Sequence, residues 1–128
     1  MRSQGEIEAA VGDAIARFQQ EFMGRGPRHV QAHLVENRVF VHLEGVLTAA
    51  EERLVSGGGA ADGRAAELLK QLRSRLVTAG RRELETLVHE AAGCPSVNLH
   101  HDISPSTGEG VIVITLAATP VCRFRKAR

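Results

Sequence analysis

Six histidines in a chain of 128 residues are its first chemical feature. His100 and Asp102 stand two apart, so on a strand they share one face, with His101 on the other. His29, His33 and His42 fall in two earlier runs of alternating character. An imidazole and a carboxylate beside a further imidazole are the donor types that hold a divalent metal. No closed-site spacing accompanies them: there is no Cys-x-x-Cys and no His-Glu-x-x-His. The plainer reading is a solvated or interface surface, and no metal ligand or cofactor is assigned.

The segment Leu99-His100-His101-Asp102-Ile103-Ser104 is the densest polar cluster in apolar surroundings. A His, an Asp and a nearby Ser invite a hydrolase reading. Their order matches no nucleophile elbow, and Ser104 ends a run rather than occupying a strained turn. Asp102, just before a Pro-containing turn, is better placed to bond that turn's backbone. No catalytic residue is assigned, and the chain is expected not to be an enzyme.

Arg73 is the sharper anomaly, because it falls inside the apolar stripe of a helical segment while Lys70, Arg75, Arg81 and Arg82 point away. An unpaired buried charge is too costly to keep, so Arg73 is expected to pair with Asp102 or Glu44. A pocket for an anionic ligand is the alternative. Gly24-Arg25-Gly26-Pro27 joins backbone freedom to a cation at a helix end. There Arg25 and Gly26 can cradle a phosphate or face a partner, or form only a tight connection. The candidate ligand- or partner-binding residues are Arg25, Gly26, Arg73, His100, Asp102 and Ser104.

The elements that position these residues follow from periodicity. Ser3 and Glu6 form a capping box, and Ile7, Val11, Ala14, Ile15, Phe18 and Phe22 form one helical stripe closed by Gly24. Two alternating runs follow. A two-residue loop at Glu36-Asn37 pairs Leu34 with Val39, Ala32 with Val41 and Val30 with Leu43, which predicts a hairpin with one apolar face. Thr48 and Glu51 form a second capping box, opening a short helix through about Val55. Residues 56–59 read as a glycine-rich loop without the Lys-Ser/Thr of a phosphate loop, and Asp62 is placed to cap the next helix.

From Ala65 to Ala91, Leu69, Leu72, Leu76, Leu84, Leu87 and Ala91 hold one sector. This predicts a long helix of roughly 40 Å, continuous or hinged near Gly80. Gly93 and Cys94-Pro95 end it. Val97 to Ile103 alternates, residues 104–109 turn, and Val111 to Leu116 is continuously apolar or β-branched, the pattern of a strand buried on both faces. The predicted fold is α+β in the order α-β-β-α-α-β-β. Two β-hairpins form a four-stranded antiparallel sheet packed against the N-terminal helix and the long central one. Residues 1–119 are read as a single domain and 120–128 as a loosely ordered basic tail. With one sheet face covered, a homodimer is expected.

Composition removes several function classes. Hydrophobic residues at 43% and charged residues at 24% describe a globular chain. Aromatics at 3%, with no Trp or Tyr, argue against base-stacking recognition of single strands. The net charge of +1 places four basic residues in the last six, leaving the body at −3, so nucleic acid is not an expected partner. No run approaches the ~20 apolar residues of a membrane span. The first ten residues lack a signal segment, and two cysteines make no disulfide scaffold. A cytoplasmic protein with reduced thiols is expected.

Three ordered motifs carry a family resemblance. They are Gly24-Arg25-Gly26-Pro27, then Gly45-Val46-Leu47-Thr48 with Glu51, then Leu99 to Ser104 followed by Thr107-Gly108-Glu109 and Val111-Ile112-Val113-Ile114. Together, over about residues 5–116, the chain resembles the MpsC-like proteins, formerly a domain of unknown function. Gly57-Gly58-Gly59 and Gly80-Arg81-Arg82 depart from that pattern. The resemblance implies a non-catalytic accessory or regulatory role in a cation-translocating, membrane-potential-generating system tied to inorganic carbon uptake. It implies a protein partner, with a membrane complex as the candidate, and brings no catalytic residue. A small-ligand or metal-sensing module, and a nucleic-acid-associated regulator, are the alternative classes.

Overall fold

The computed structural model describes residues 2–56 and 63–122. The first helix, α1 (Gln4–Met23), starts from a complete capping box: Ser3 Oγ accepts from Glu6 N–H at 3.1 Å, and Glu6 Oε1 accepts from Ser3 N–H at 2.7 Å. Its buried stripe holds Ile7, Val11, Ala14, Ile15 and Phe18 as expected, and then continues through Gln19 and Met23. Phe22 is the exception. It stays 37% exposed, its ring stacked on Phe18 with centroids 4.9 Å apart.

The first hairpin has the predicted register. Strand β1 (His29–Val35) pairs antiparallel with β2 (Arg38–Glu44), matching Leu34 with Val39, Ala32 with Val41 and Val30 with Leu43. Glu36 turns the chain at φ 57°. The free edge of β1 is covered by α1, where Glu8 Oε2 accepts from Leu34 N–H at 2.7 Å and Gln4 Nε2 donates to Leu34 O at 3.0 Å. Those bonds satisfy an edge that otherwise invites another strand.

Helix α2 (Ala49–Ser56) opens on the second capping box, with Thr48 Oγ1 and Glu51 Oε1 each accepting the other residue's backbone N–H. The glycine run at 57–59 and the Asp62 cap lie outside the described residues, as does the tail from 123 on.

The central helix divides into α3 (Arg64–Ala79) and α4 (Arg81–Ala92), the hinged form of the expectation. Gly80 lies between them at φ −99° and ψ 12°. Its position is set by close approach: a Cβ there would lie 2.8 Å from the Phe18 ring and 2.9 Å from the Phe22 ring. The bonds Gly80 N–H to Leu76 O and Leu84 N–H to Gly80 O, both 3.0 Å, still link the two segments.

The predicted leucine sector needs one correction. In α3 the buried series is Ala65, Leu69, Arg73 and Val77, and Leu72 is 44% exposed. At 3.6 residues per turn this series centres about 20° beyond Leu69 on the Arg73 side, which leaves Leu72 about 80° off centre.

The second hairpin pairs β3 (Ser96–Ile103) with β4 (Gly110–Leu116), with a register irregularity at Val97. The hairpins join through β2 and β4, giving one antiparallel sheet in the order β1-β2-β4-β3. One face bears Leu34, Val39, Val41, Leu43, Leu99, Ile112 and Ile114, packed into the same apolar cluster as α1, α3 and α4. Strand β4 is central, but it is not buried on both faces as predicted: Val111 is 42% exposed and Val113 half-buried. No helix among the described residues covers that side, so the run of β-branched residues reflects strand-forming preference on an open face.

Candidate functional site

The pairing pattern sorts the chemistry-bearing residues into rows across the open face. His33, Phe40, Val113 and His100 form one row. Gln31, His42, Val111 and Asp102 form the next. Because neighbouring strands lie about 4.8 Å apart, His33 and His100 stand roughly 14 Å apart at opposite edges. The chain therefore does not bring His100-x-Asp102 beside a histidine of the first hairpin. The reason is topological: β3, which carries both, is an outer strand.

His100, Asp102 and Ser104 are not linked into a relay. His100 Nε2 lies 3.2 Å from Asn98 Nδ2, and the Ser104 hydroxyl bonds Ser106 Oγ at 3.3 Å. Asp102 Oδ1 accepts from Ile103 N–H at 2.8 Å and lies 3.3 Å from Lys70 Nζ. The Ile103 N–H first, and then the Lys70 ammonium, hold the Asp102 carboxyl below the usual carboxylate range.

Arg25 and Gly26 are committed within the fold. Arg25 Nη1 donates to Leu47 O at 3.1 Å, and Gly26 N–H donates to Gln20 Oε1 at 3.0 Å. A phosphate cradle needs such donors free. Here they tie the α1–β1 connection to its own helix and to the Val46–Leu47 segment.

Arg73 is paired, though not with either predicted carboxylate. It is 5% exposed, and its Nη1 donates to Glu51 Oε1 at 2.8 Å while Nη2 donates to Gln19 Oε1 at 2.9 Å. Glu51, 8% exposed, thus serves both the cap of α2 and the buried guanidinium. Asp102 and Glu44 both belong to the open side of the sheet, and Asp102 is taken by Lys70. Gln19 was the missed signal. A polar residue four after Ile15 on a buried stripe must have a partner, just as Arg73 must.

Arg73 and Gln19, but not Glu51, line a cavity of about 240 Å³ between α3, the end of α1 and the sheet. Arg73, Gln19, Ser74, Lys70, His101 and Asp102 supply its polar walls, and Met23, Leu43, Val77 and Ile112 are among its apolar ones. Arg73 and Asp102 thus share a cavity without touching. Burial pushes the His101 pKa below its usual value; Asp102 opposes this, and Arg81 and Arg73 reinforce it. At this volume the cavity falls short of the ~300–1,000 Å³ that holds a drug-sized ligand, and it suits a small polar molecule or water. A second, shallower hollow of about 400 Å³ shares Lys70, Asp102 and Val111 and adds His42, Ser104, Pro105 and Glu109.

The open face itself combines polar and apolar groups. Phe40 is 41% exposed between the half-buried Val113 and His33, and Val35 and Val97 are also exposed. Among the described residues, His42, Glu44 and Glu109 are the group whose donor atoms could hold a metal ion.

The family model for the Na+-translocating membrane potential-generating system protein MpsC matches residues 3–118, nearly the entire chain. The chain belongs to the MpsC family. The family assignment carries a role in a Na+ membrane-potential system. One relative is the uncharacterised protein YbcI of Bacillus subtilis (strain 168), 31% identical over 115 residues, or 90% of this chain and 89% of YbcI. No solved structure matches the chain. Among the described residues no helix is long and apolar enough to cross a membrane.

Proposed function

We propose that this MpsC-family protein is a non-catalytic accessory or regulatory subunit of a cation-translocating, membrane-potential-generating system that supports inorganic carbon uptake. It acts in the cytoplasm, at the inner membrane face, through protein contact and as a homodimer. The observation that carries this reading is the uncovered sheet face. A central strand that leaves Val111 and Val113 beside exposed Phe40 presents apolar side chains without a helix to cover them. A contiguous apolar patch rimmed by polar groups is the usual form of a protein-binding surface. The histidines and carboxylates around it supply the polar rim.

Light scattering on the full chain tests the contact. The wild type is expected to run at twice the chain mass, and Phe40→Asp and Val111→Asp as monomers with unchanged circular dichroism. Co-purification with the membrane complex from the native cell is expected to fail in the same variants. A monomeric wild type would remove the dimer, and unchanged co-purification of both variants would remove this face as the contact.

A further inference from the structure

The three donor residues on the open face lie at one corner of the sheet. His42 and Glu44 are two apart on β2, so they share a face, and the β2–β4 register ends with Leu43 opposite Gly110, the residues next to Glu44 and Glu109. His42 Nε2 lies 3.1 Å from Glu109 Oε2, and donor atoms of all three residues fall within 4.8 Å of one another. Among the described residues, no lysine or arginine forms an ion pair with either carboxylate. Among the described residues, the ion pairs put Lys70 on Asp102 and Arg73 on Glu51, and the only basic group bonded here is the His42 imidazole. No side chain among the described residues bonds the Glu44 carboxylate.

We propose that His42, Glu44 and Glu109 bind one divalent transition-metal ion of the Zn²⁺ or Mn²⁺ class. One imidazole and two carboxylates form a nitrogen–oxygen set suited to such ions, and the imidazole disfavours Na⁺, Mg²⁺ and Ca²⁺, which take oxygen. Bonds of about 2.0–2.2 Å at tetrahedral angles put donors ~3.4 Å apart. The His42–Glu109 contact, at 3.1 Å, needs only a slight opening to that spacing, and Glu44 reaches it through a rotamer change at the half-exposed surface. Three protein ligands leave a coordination position open, and His42 and Glu109 both line the 400 Å³ hollow. Water or an oxygen ligand can enter the coordination sphere from there. The proposal does not depend on the role assigned to the chain above.

The test titrates Zn²⁺, and separately Mn²⁺, into chelator-treated full-length protein by calorimetry, with Mg²⁺ and Ca²⁺ as comparisons. One ion per chain is expected, with the His42 ring signals moving in NMR spectra. His42→Ala, Glu44→Gln and Glu109→Gln should each weaken binding at least tenfold, and His33→Ala, on the same face, should leave it unchanged. All three are exposed or half-exposed substitutions, and circular dichroism of the metal-free variants verifies their fold. No binding of either transition metal, equal binding of Mg²⁺, or a less than threefold change in all three variants would overturn the site.

Discussion

Glu51 Oε1 lies 2.8 Å from Arg73 Nη1 while also accepting the backbone N–H of Thr48 at 2.9 Å. One buried carboxylate oxygen thus holds the start of α2 and neutralises the one cation in the buried stripe of α3. The two helices are bound by the same atom that ends the exposure of both charges.

Removing either partner leaves the other charge buried without compensation, a loss of about 3–5 kcal/mol. Arg73→Ala and Glu51→Ala are each expected to lower stability by that amount in urea unfolding. A double replacement with apolar residues, Arg73→Met with Glu51→Leu, should cost less than the two single changes added, because no orphan charge remains. Additive losses would show that the pair contributes nothing as a pair.

Lys70 and Asp102 form the contrasting case. Their side chains are 48% and 68% exposed at a separation of 3.3 Å, so solvent screens the attraction. Lys70→Ala is expected to change stability by less than about 1 kcal/mol. A loss as large as that of Arg73→Ala would mean that the cavity margin bears load that exposure hides.

Gly80→Ala sets helix preference against packing. Alanine favours a helix by about 1 kcal/mol over glycine. The new Cβ would stand 2.8 Å from the Phe18 ring, which is fully buried and cannot move aside freely. Overpacking of this kind costs about 1–3 kcal/mol, so the variant is expected to be less stable. Adding Phe22→Leu, at the more exposed ring, should recover part of the loss, and thermal melts of wild type, Gly80→Ala and the double variant decide it.

Acid should weaken the fold in two windows. The His101 pKa is depressed in the folded state, so below the usual value of 6.5 the unfolded chain takes up more protons and stability falls as pH falls. The Asp102 carboxyl is also depressed, and its contribution, full above 3.8, is lost as pH drops through its folded value. The urea midpoint of wild type is expected to fall between pH 7.5 and 5 by more than that of His101→Gln. Equal slopes would remove His101 as the source.

Local chemistry made much of this protein legible in its residues. Both capping boxes, the Gly24 and Gly93 helix ends and the Glu36-Asn37 register are short-range devices, each decided within a few residues. That His100 and Asp102 share a face opposite His101 follows from strand geometry alone.

Partner choice across the fold was different. Periodicity put Arg73 on a buried stripe and required a carboxylate, but it pointed to Asp102 or Glu44 and not to Glu51. Only the docking of α2 on α3 brought Glu51 to the guanidinium. The β-branched run of β4 could not reveal whether a second layer covers it, because strand preference reads the same on an open face. The joining of β2 to β4 separated His100 from the histidines of the first hairpin and drew His42, Glu44 and Glu109 together. Residues within one turn or hairpin meet because the chain holds them close, whereas those 22 to 67 positions apart meet only where whole elements pack.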